Sequence, residues 1–150
     1  MLTVNMQTNS FDLHFMLHAA DLLEERLRER LAPLGLRPRQ ARIFDALARL
    51  EPVSQVKIAR EFNVTPASIS TMTARLIDAG YVVKVVDPHE KRAFKLRLTE
   101  QGRSCLVDVY KAWRDIDEMI AQEIGPEATK QLANLTRELR DRLGGRGPST

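Results

Sequence analysis

The side chains best suited to chemistry concentrate in one predicted helix. Thr65-Pro66 is typical of a helix start, with Thr65 as the N-cap and Pro66 at the first helical position. At about 100° per residue, Ile69, Met72 and Leu76 share one face and are expected to pack in the core. The opposite face carries small, hydroxylated and basic residues, with one acid at its far end: Ala67, Ser68, Ser70, Thr71, Ala74, Arg75 and Asp78.

Such a face suits the major groove of DNA. A helix with small side chains and little acid can enter a groove about 12 Å wide and contact base edges. The hydroxyls of Ser68 and Thr71 can hydrogen-bond bases or phosphates, and Arg75 can contact guanine or the backbone. The alternative is an exposed, hydroxyl-rich helix face without a partner, since such residues are common on surfaces.

A hairpin with a charged tip is predicted directly after this helix. Tyr81–Val86 is rich in β-branched residues, and Ala93–Leu98 alternates apolar and basic side chains. The polar segment 87–92 between them favours a turn and places Lys91 and Arg92 at the tip.

A guanidinium at such a tip can enter the minor groove beside the major groove that holds the helix. Asp87 or Glu90 is expected to orient Arg92, whereas the alternative is a solvated charged turn. The predicted DNA contacts are Ser54, Thr65, Pro66, Ala67, Ser68, Ser70, Thr71, Arg75, Lys91 and Arg92.

A few other residues could bind a ligand or sense oxidants. His14 and His18 lie one helical turn apart and could contact a ligand or a metal, but no third ligand completes a metal site, so none is predicted. Trp113 and Arg114 could line a pocket for an anionic aromatic molecule. Cys105 is the only cysteine; it is expected to be a partly buried, unreactive residue, and a redox sensor is the alternative.

Catalysis is not expected. The sequence contains no HExxH motif, glycine-rich phosphate loop, nucleophile elbow or acid pair with an evident base, so no catalytic residue, metal or cofactor is assigned. A rival interpretation is a winged-helix module that binds protein. That module would expose an apolar face on the helix after Thr65, where this sequence has a polar and basic one.

Length and charge agree with a basic, DNA-facing middle segment. The 150 residues suit one domain with an accessory layer, and the net charge is +3. Residues 37–103 carry 13 Lys and Arg against 7 Asp and Glu, while the rest of the chain is slightly acidic. Such a split favours a polyanionic partner. With no signal peptide and no long apolar run, the expected compartment is the cytoplasm, without membrane contact.

The surrounding elements predict a mainly α (α+β) fold. Helices are expected over Phe11–Ala32, Pro38–Leu50 and Gln55–Phe62, with Ser54 as the N-cap of the third. The fourth ends at Gly80, and two long helices follow the hairpin after Thr99. The predicted organisation is an N-terminal dimerisation helix (1–35), a winged helix-turn-helix lobe (36–102), C-terminal dimerisation helices (103–145) and a flexible tail (146–150).

This order of elements resembles the MarR family of winged-helix transcription regulators. The hairpin segment, with an acid two residues before Arg92 and an L-T-x-x-G strand end at Gly102, is the most specific part of the resemblance. The resemblance covers roughly residues 11–143. The segments that carry it are Leu36–Ala41, Val56–Val64, Thr65–Thr71, Arg75–Val82, Asp87–Arg92 and Leu96–Gly102.

The resemblance implies a homodimer whose terminal helices form a shared layer. The wide apolar stripes on those helices agree with it, because a small winged-helix core cannot cover them. Two-fold symmetry then predicts a pseudo-palindromic DNA site with half-sites roughly 10 base pairs apart. The family resemblance further implies a repressor that a small molecule releases from DNA; Trp113 and Arg114 suggest that this effector is aromatic or anionic.

Overall fold

The computed structural model describes residues 11–145, apart from the side chains of Lys91 and Arg92. The loose ends predicted for residues 1–10 and 146–150 lie outside this range. Within it, six helices and one two-stranded antiparallel sheet follow one another, which confirms the mainly helical α+β prediction. No helix in residues 11–145 is long and apolar enough to cross a membrane.

The elements follow the predicted order. Their bounds are α1 (Asp12–Leu31), α2 (Pro38–Leu50), α3 (Gln55–Glu61), α4 (Pro66–Asp78), β1 (Val82–Asp87), β2 (Glu90–Leu98), α5 (Glu100–Ile124) and α6 (Pro126–Arg142). A short 3₁₀ turn, Ala32–Leu34, follows α1. Pro33 and Gly35 end the first helix as expected, because proline lacks a backbone N–H and Gly35 adopts a left-handed conformation with φ of 70°.

Hydroxyl caps start three of the helices, as the sequence predicts. The Oγ of Ser54 accepts a hydrogen bond from the backbone N–H of Lys57 at 3.2 Å. Thr65 caps α4 in the same way, and Thr99 Oγ1 accepts from the N–H of Gly102 at 3.0 Å. Each cap satisfies one of the backbone donors that a helix start leaves without an intrahelical partner. Asn63 has a φ of 49°, the left-handed turn expected between α3 and α4.

One hydrophobic core joins the helix-turn-helix, the sheet and the middle of the molecule. The apolar stripe of α2 is fully buried, with Phe44 at its centre, and meets Ile69 and Leu76 of α4 and Val109 of α5. Burying side chains of this size stabilises the fold by about 1.5–3 kcal/mol each. Leu31, at the end of α1, belongs to the same core, whereas most of α1 and all of α6 lie outside it.

The hairpin formed by β1 and β2, which we call the wing, has longer strands and a shorter turn than the sequence predicts. The strands pair from Val82 with Leu98 up to Asp87 with Glu90, so the turn between them contains only Pro88 and His89. The prediction that Lys91 and Arg92 form the tip was therefore wrong: both belong to β2. The register shifts between Val86, which pairs with Phe94, and Asp87, which pairs with Glu90, so residues 91–93 form an irregularity within β2.

Two contacts hold the base of the wing. Glu51, the residue after α2, accepts a hydrogen bond from the backbone N–H of Leu98 at 2.6 Å and forms an ion pair with Arg103 of α5. Val53 also forms an isolated antiparallel bridge with Leu96 at the edge of the sheet. A Cβ at position 102 would overlap the carbonyl oxygen of Tyr81, which explains the glycine of the L-T-x-x-G sequence.

Candidate nucleic-acid interface

The outer face of α4 is exposed and polar along its length. Its buried side is formed by Ile69 and Leu76, with Met72 half-buried, as predicted. The predicted contact residues on the helix are all exposed: Thr65, Pro66, Ala67, Ser68, Ser70, Thr71 and Arg75. From Pro66 to Arg75 the helix contains no acidic residue, so nearly three turns present no charge that would repel phosphate.

The hydroxyls on this face differ in the hydrogen bonds that they already make. Thr65 Oγ1 donates to Ser68 Oγ at 3.1 Å, so the proton of the Ser68 hydroxyl remains available to a partner. Thr71 Oγ1 donates to the carbonyl of Ala67 at 3.2 Å, so its hydroxyl can only accept a further bond in this rotamer. Ser54 is only half-exposed and its oxygen caps α3, and its DNA contact stays a prediction.

A buried polar link fixes α4 against α3. Thr73 is completely buried, although no apolar pattern marked it as a core residue. Its Oγ1 accepts from Gln55 Nε2 at 2.9 Å and donates to the carbonyl of Ile69 at 2.9 Å. Every hydrogen-bonding group of this pair that is buried thus has a partner, as buried polar groups require. Gln55, at the first position of α3, was missed because a glutamine there is not distinctive in sequence.

The wing holds a carboxylate that is already engaged. Asp87 accepts a hydrogen bond from the backbone N–H of His89 at 2.9 Å, and this bond is the main reason why the pKa of Asp87 is lowered. Its other oxygen lies 3.4 Å from Lys95 Nζ. The prediction that Asp87 or Glu90 orients Arg92 stays a prediction, because the side chains of Lys91 and Arg92 lie outside the described part of the chain.

Of the four predicted ligand contacts, the structure places one on a cleft. A cleft of about 1090 Å³, which we call the Trp113 cleft, lies between the helix-turn-helix, α1 and the long C-terminal helices. His14, His18 and Arg114 do not line it; they are exposed elsewhere on α1 and α5, so their ligand role stays a prediction. Besides Trp113, the lining of this cleft includes the charged residues Glu24, Glu61, Asp117, Arg39, Arg42, Arg60 and Arg140.

Cys105 is buried in the core at the start of α5. Burial raises the pKa of its thiol, and Asp108 raises it further, whereas a hydrogen bond with Tyr81 lowers it less than burial raises it. The thiolate is the reactive form of cysteine, so these surroundings disfavour the redox chemistry that was the alternative interpretation.

Arginines at the start of α2 were not predicted as site residues. Arg37 and Arg39 flank Pro38, and both are exposed beside the helix-turn-helix. The basic balance of residues 37–103 and the pair of arginines around a helix-starting proline were the available signals. Neither signal could place these side chains next to α4, because that proximity depends on how α2 packs.

The order of α2, α3, α4 and the wing is the winged helix-turn-helix arrangement. The sequence model of the MarR family matches residues 34–93, which contain the helix-turn-helix and the start of the wing. Over this segment the chain is similar to the MarR family.

Curated proteins that this chain is similar to are named as transcriptional regulators. The chain is 30% identical over 84 residues to the regulator BilQ of Clostridioides difficile, a match that covers 56% of this chain and 57% of BilQ. It is 26% identical over 109 residues to the transcriptional repressor Rv2887 of Mycobacterium tuberculosis, covering 73% of this chain and 78% of that protein. The match therefore spans little more than half of BilQ.

Solved structures of MarR-family proteins share the fold. The repressor CouR, bound to a 23-mer DNA duplex, superposes with a TM-score of 0.76 at 22% identity, over 85% of this chain and 91% of CouR. Rv2887 in complex with salicylic acid superposes with a TM-score of 0.70 at 22% identity, over 88% of this chain and 98% of that one. At this level of identity, the likeness establishes the fold.

Proposed function

We propose that this chain is a MarR-family transcriptional regulator that binds a specific double-stranded DNA site and acts as a dimeric repressor. The observation that carries the proposal is the exposed, acid-free outer face of α4 between Pro66 and Arg75. A helix with this face can approach the major groove without repulsion and read base edges through Ser68 and Ser70, while Arg75 contacts a base or the backbone. The names of BilQ and Rv2887 and the DNA-bound state of CouR support it.

The wing supplies a second contact in this proposal. Lys91 and Arg92 belong to β2, next to the turn, and come after α4 in the chain. An arginine there can enter the narrow, electronegative minor groove. Such contacts attract DNA of any sequence and mainly add affinity, whereas the major-groove face of α4 provides the specificity.

Dimerisation is proposed from the apolar side chains that the described chain leaves uncovered. Phe11, just before α1, and Phe15 within it are 61% and 66% exposed; Leu135 on α6 and Leu143, just after it, are 65% and 77% exposed. Soluble monomers rarely leave apolar side chains of this size grouped and exposed. A second copy would cover both helices, and its two-fold symmetry would match a pseudo-palindromic site.

Release by a small molecule is proposed for the Trp113 cleft. An indole ring beside Arg39, Arg42 and Arg60 suits an aromatic molecule with an anionic group, because arginine binds carboxylates with a planar pair of donors. Arg42 lies 5.6 Å from the ring centre of Phe62, which adds a second aromatic surface to the cleft. The salicylic acid complex of Rv2887 supports this class of ligand.

A DNA-binding titration tests the proposal. Purified protein is titrated with the DNA that flanks its own gene and with scrambled DNA of equal length, each at two salt concentrations. We expect tighter binding to the native fragment and affinity that falls steeply with salt, since protein contacts displace counterions from phosphate. Equal and weak binding to both fragments would contradict a specific regulator of its own gene.

A variant of the wing then tests its contact with DNA separately from the contact made by α4. Arg92→Ala is expected to weaken binding to all sequences and to reduce the salt dependence. The matched control is Arg137→Ala on the exposed part of α6, which lies outside the proposed interface. Unchanged affinity in Arg92→Ala would remove the wing from the proposal.

A further inference from the structure

A second cleft lies at the start of α2, and we call it the α2-start cleft. Its volume is about 560 Å³, and it is formed by α1, the first turn of α2 and the middle of α4. The lining side chains are strongly basic, with four arginines and a single carboxylate. They are Glu24, Arg28, Arg37, Pro38, Arg39, Gln40, Met72 and Arg75.

The positive charge of this cleft is not matched within the protein. Glu24 is the only acid that lines the cleft, and its Oε1 lies 3.5 Å from a guanidinium nitrogen of Arg28 in an exposed ion pair. Among residues 11–145, no carboxylate lies within 4.0 Å of Arg37, Arg39 or Arg75. Three guanidinium groups around one exposed concavity attract an anion from outside.

The geometry of α4 identifies which anion reaches this cleft. Arg75 comes nine residues after Pro66, so it lies about 13 Å along the helix from its start. A major groove is about 12 Å wide, so a helix whose first residues lie in it meets the sugar-phosphate backbone at this distance. Arg75 lines the α2-start cleft together with Arg37 and Arg39, so a phosphate held by Arg75 would lie within the same cleft as those two arginines.

We propose that the α2-start cleft holds a backbone phosphate of the bound DNA, contacted by Arg37, Arg39 and Arg75. The inference rests on the proposed function and extends its footprint beyond the helix-turn-helix and the wing. The start of α2 is prepared for this contact: Gln40 Oε1 accepts from the backbone N–H of Arg37 at 2.9 Å and is buried, so the first turn is fixed. The positive end of the α2 dipole adds to the attraction.

Alanine variants of Arg37 and Arg39 test the site. Both side chains are exposed, and Arg37→Ala retains the backbone bond to Gln40, so neither change is expected to unfold the protein. We expect each variant to weaken binding to native and scrambled DNA by the same factor. The slope of log affinity against log salt should fall by about 1 per variant, since one phosphate contact is lost.

The controls are Arg26→Ala, on the exposed part of α1 and paired with Glu29, and Arg137→Ala on α6; both should leave affinity and slope unchanged. Ethylation interference on the wild-type complex should detect a phosphate whose modification blocks binding, and Arg37→Ala should lose that sensitivity. Thermal melting by circular dichroism confirms that each variant is folded.

Three results would overturn the inference. Unchanged affinity and slope in both variants, with wild type bound to DNA, would leave the proposed function standing and exclude this phosphate contact. A loss confined to the native site would make the arginines base contacts. Unchanged DNA binding with a lost response to sodium salicylate would assign the cleft to a small anion. Failure of the wild type to bind any DNA would instead overturn the proposed function itself.

Discussion

At the residue scale, the hydroxyl groups of α4 differ in whether they already donate a hydrogen bond within the protein. Ser68 accepts a hydrogen bond from Thr65 and retains its own proton, whereas Thr71 donates its proton to the helix backbone. A serine with a spare donor can discriminate between acceptor and donor groups on base edges. Sequence pattern selects both residues, but their different hydrogen-bonding capacity follows only from the structure.

We therefore expect Ser68→Ala to change the preference among DNA sites. Loss of a base contact typically costs about 1–3 kcal/mol at the contacted base pair and little elsewhere. The measurement is a competition titration of single-base variants of the native site, with Ser104→Ala on the exposed side of α5 as the control. A uniform loss across all variants would make Ser68 a phosphate contact.

Cys105 should react slowly with thiol reagents. Because burial raises the pKa of the thiol above its ordinary value, less thiolate is present at neutral pH than in an exposed cysteine. The alkylation rate in the native protein should therefore lie well below that of the same protein in denaturant, and it should begin to rise only at a higher pH. Peroxide should leave DNA binding unchanged in both wild type and Cys105→Ser. Rapid alkylation of the native protein at neutral pH would contradict this.

At the element scale, the wing is held by one glutamate at the end of α2. Glu51 receives both the backbone N–H of Leu98 and the guanidinium of Arg103, and its side chain is only 12% exposed. Its carboxylate therefore joins three elements, α2, β2 and α5. The residue is unremarkable in sequence, because its two partners are 47 and 52 positions away.

Glu51→Ala should destabilise the fold measurably. It leaves the Leu98 N–H without its acceptor and removes the ion pair, a loss of about 1–3 kcal/mol for a mostly buried charged hydrogen bond. Glu51→Gln should lose less, since an amide oxygen can still accept from Leu98. Chemical denaturation gives the free energies of unfolding, with Glu100→Gln on the exposed start of α5 as the control. Equal stability of all four proteins would show that Glu51 does not hold the wing.

At the scale of the whole molecule, the terminal helices have apolar faces that the described chain does not cover. Leu135→Arg places a charge on the exposed face of α6 and should shift the protein from dimer to monomer. Analytical ultracentrifugation over a range of concentrations measures this change. Val86→Arg, an equally exposed apolar position in the wing, is the control and should remain dimeric. A monomeric wild type would contradict the proposed dimer.

The two clefts share Arg39 as well as Glu24 and Pro38, which links the proposed ligand site to the proposed phosphate site. An anion that engages Arg39 from the Trp113 cleft would withdraw it from phosphate. Sodium salicylate should therefore weaken DNA binding by wild type, and Arg39→Ala should reduce that effect. Arg42 lines the Trp113 cleft but not the α2-start cleft. Arg42→Ala should therefore lose the salicylate effect, while its DNA affinity without salicylate stays unchanged. A full salicylate effect in Arg39→Ala would contradict this link.

Local physical chemistry explains how much could be predicted from sequence. Helix starts at Ser54, Thr65 and Thr99, the turn at Asn63 and the core face of α4 depend on residues within a few positions of each other. Capping hydroxyls, a left-handed turn residue and a 3.6-residue apolar period carry that information directly. The order of elements followed from these signals.

Only the tertiary structure decided which distant side chains meet. The buried Thr73–Gln55 bond, the Glu51 junction and the convergence of Arg37 and Arg39 on Arg75 all join residues on different elements. The pairing of Asp87 with Glu90, which starts β2 before Lys91 and Arg92, was likewise not evident from the polar sequence. Such contacts depend on packing angles and strand register. Both are determined by the interactions of the whole core together, so no local sequence pattern contains them.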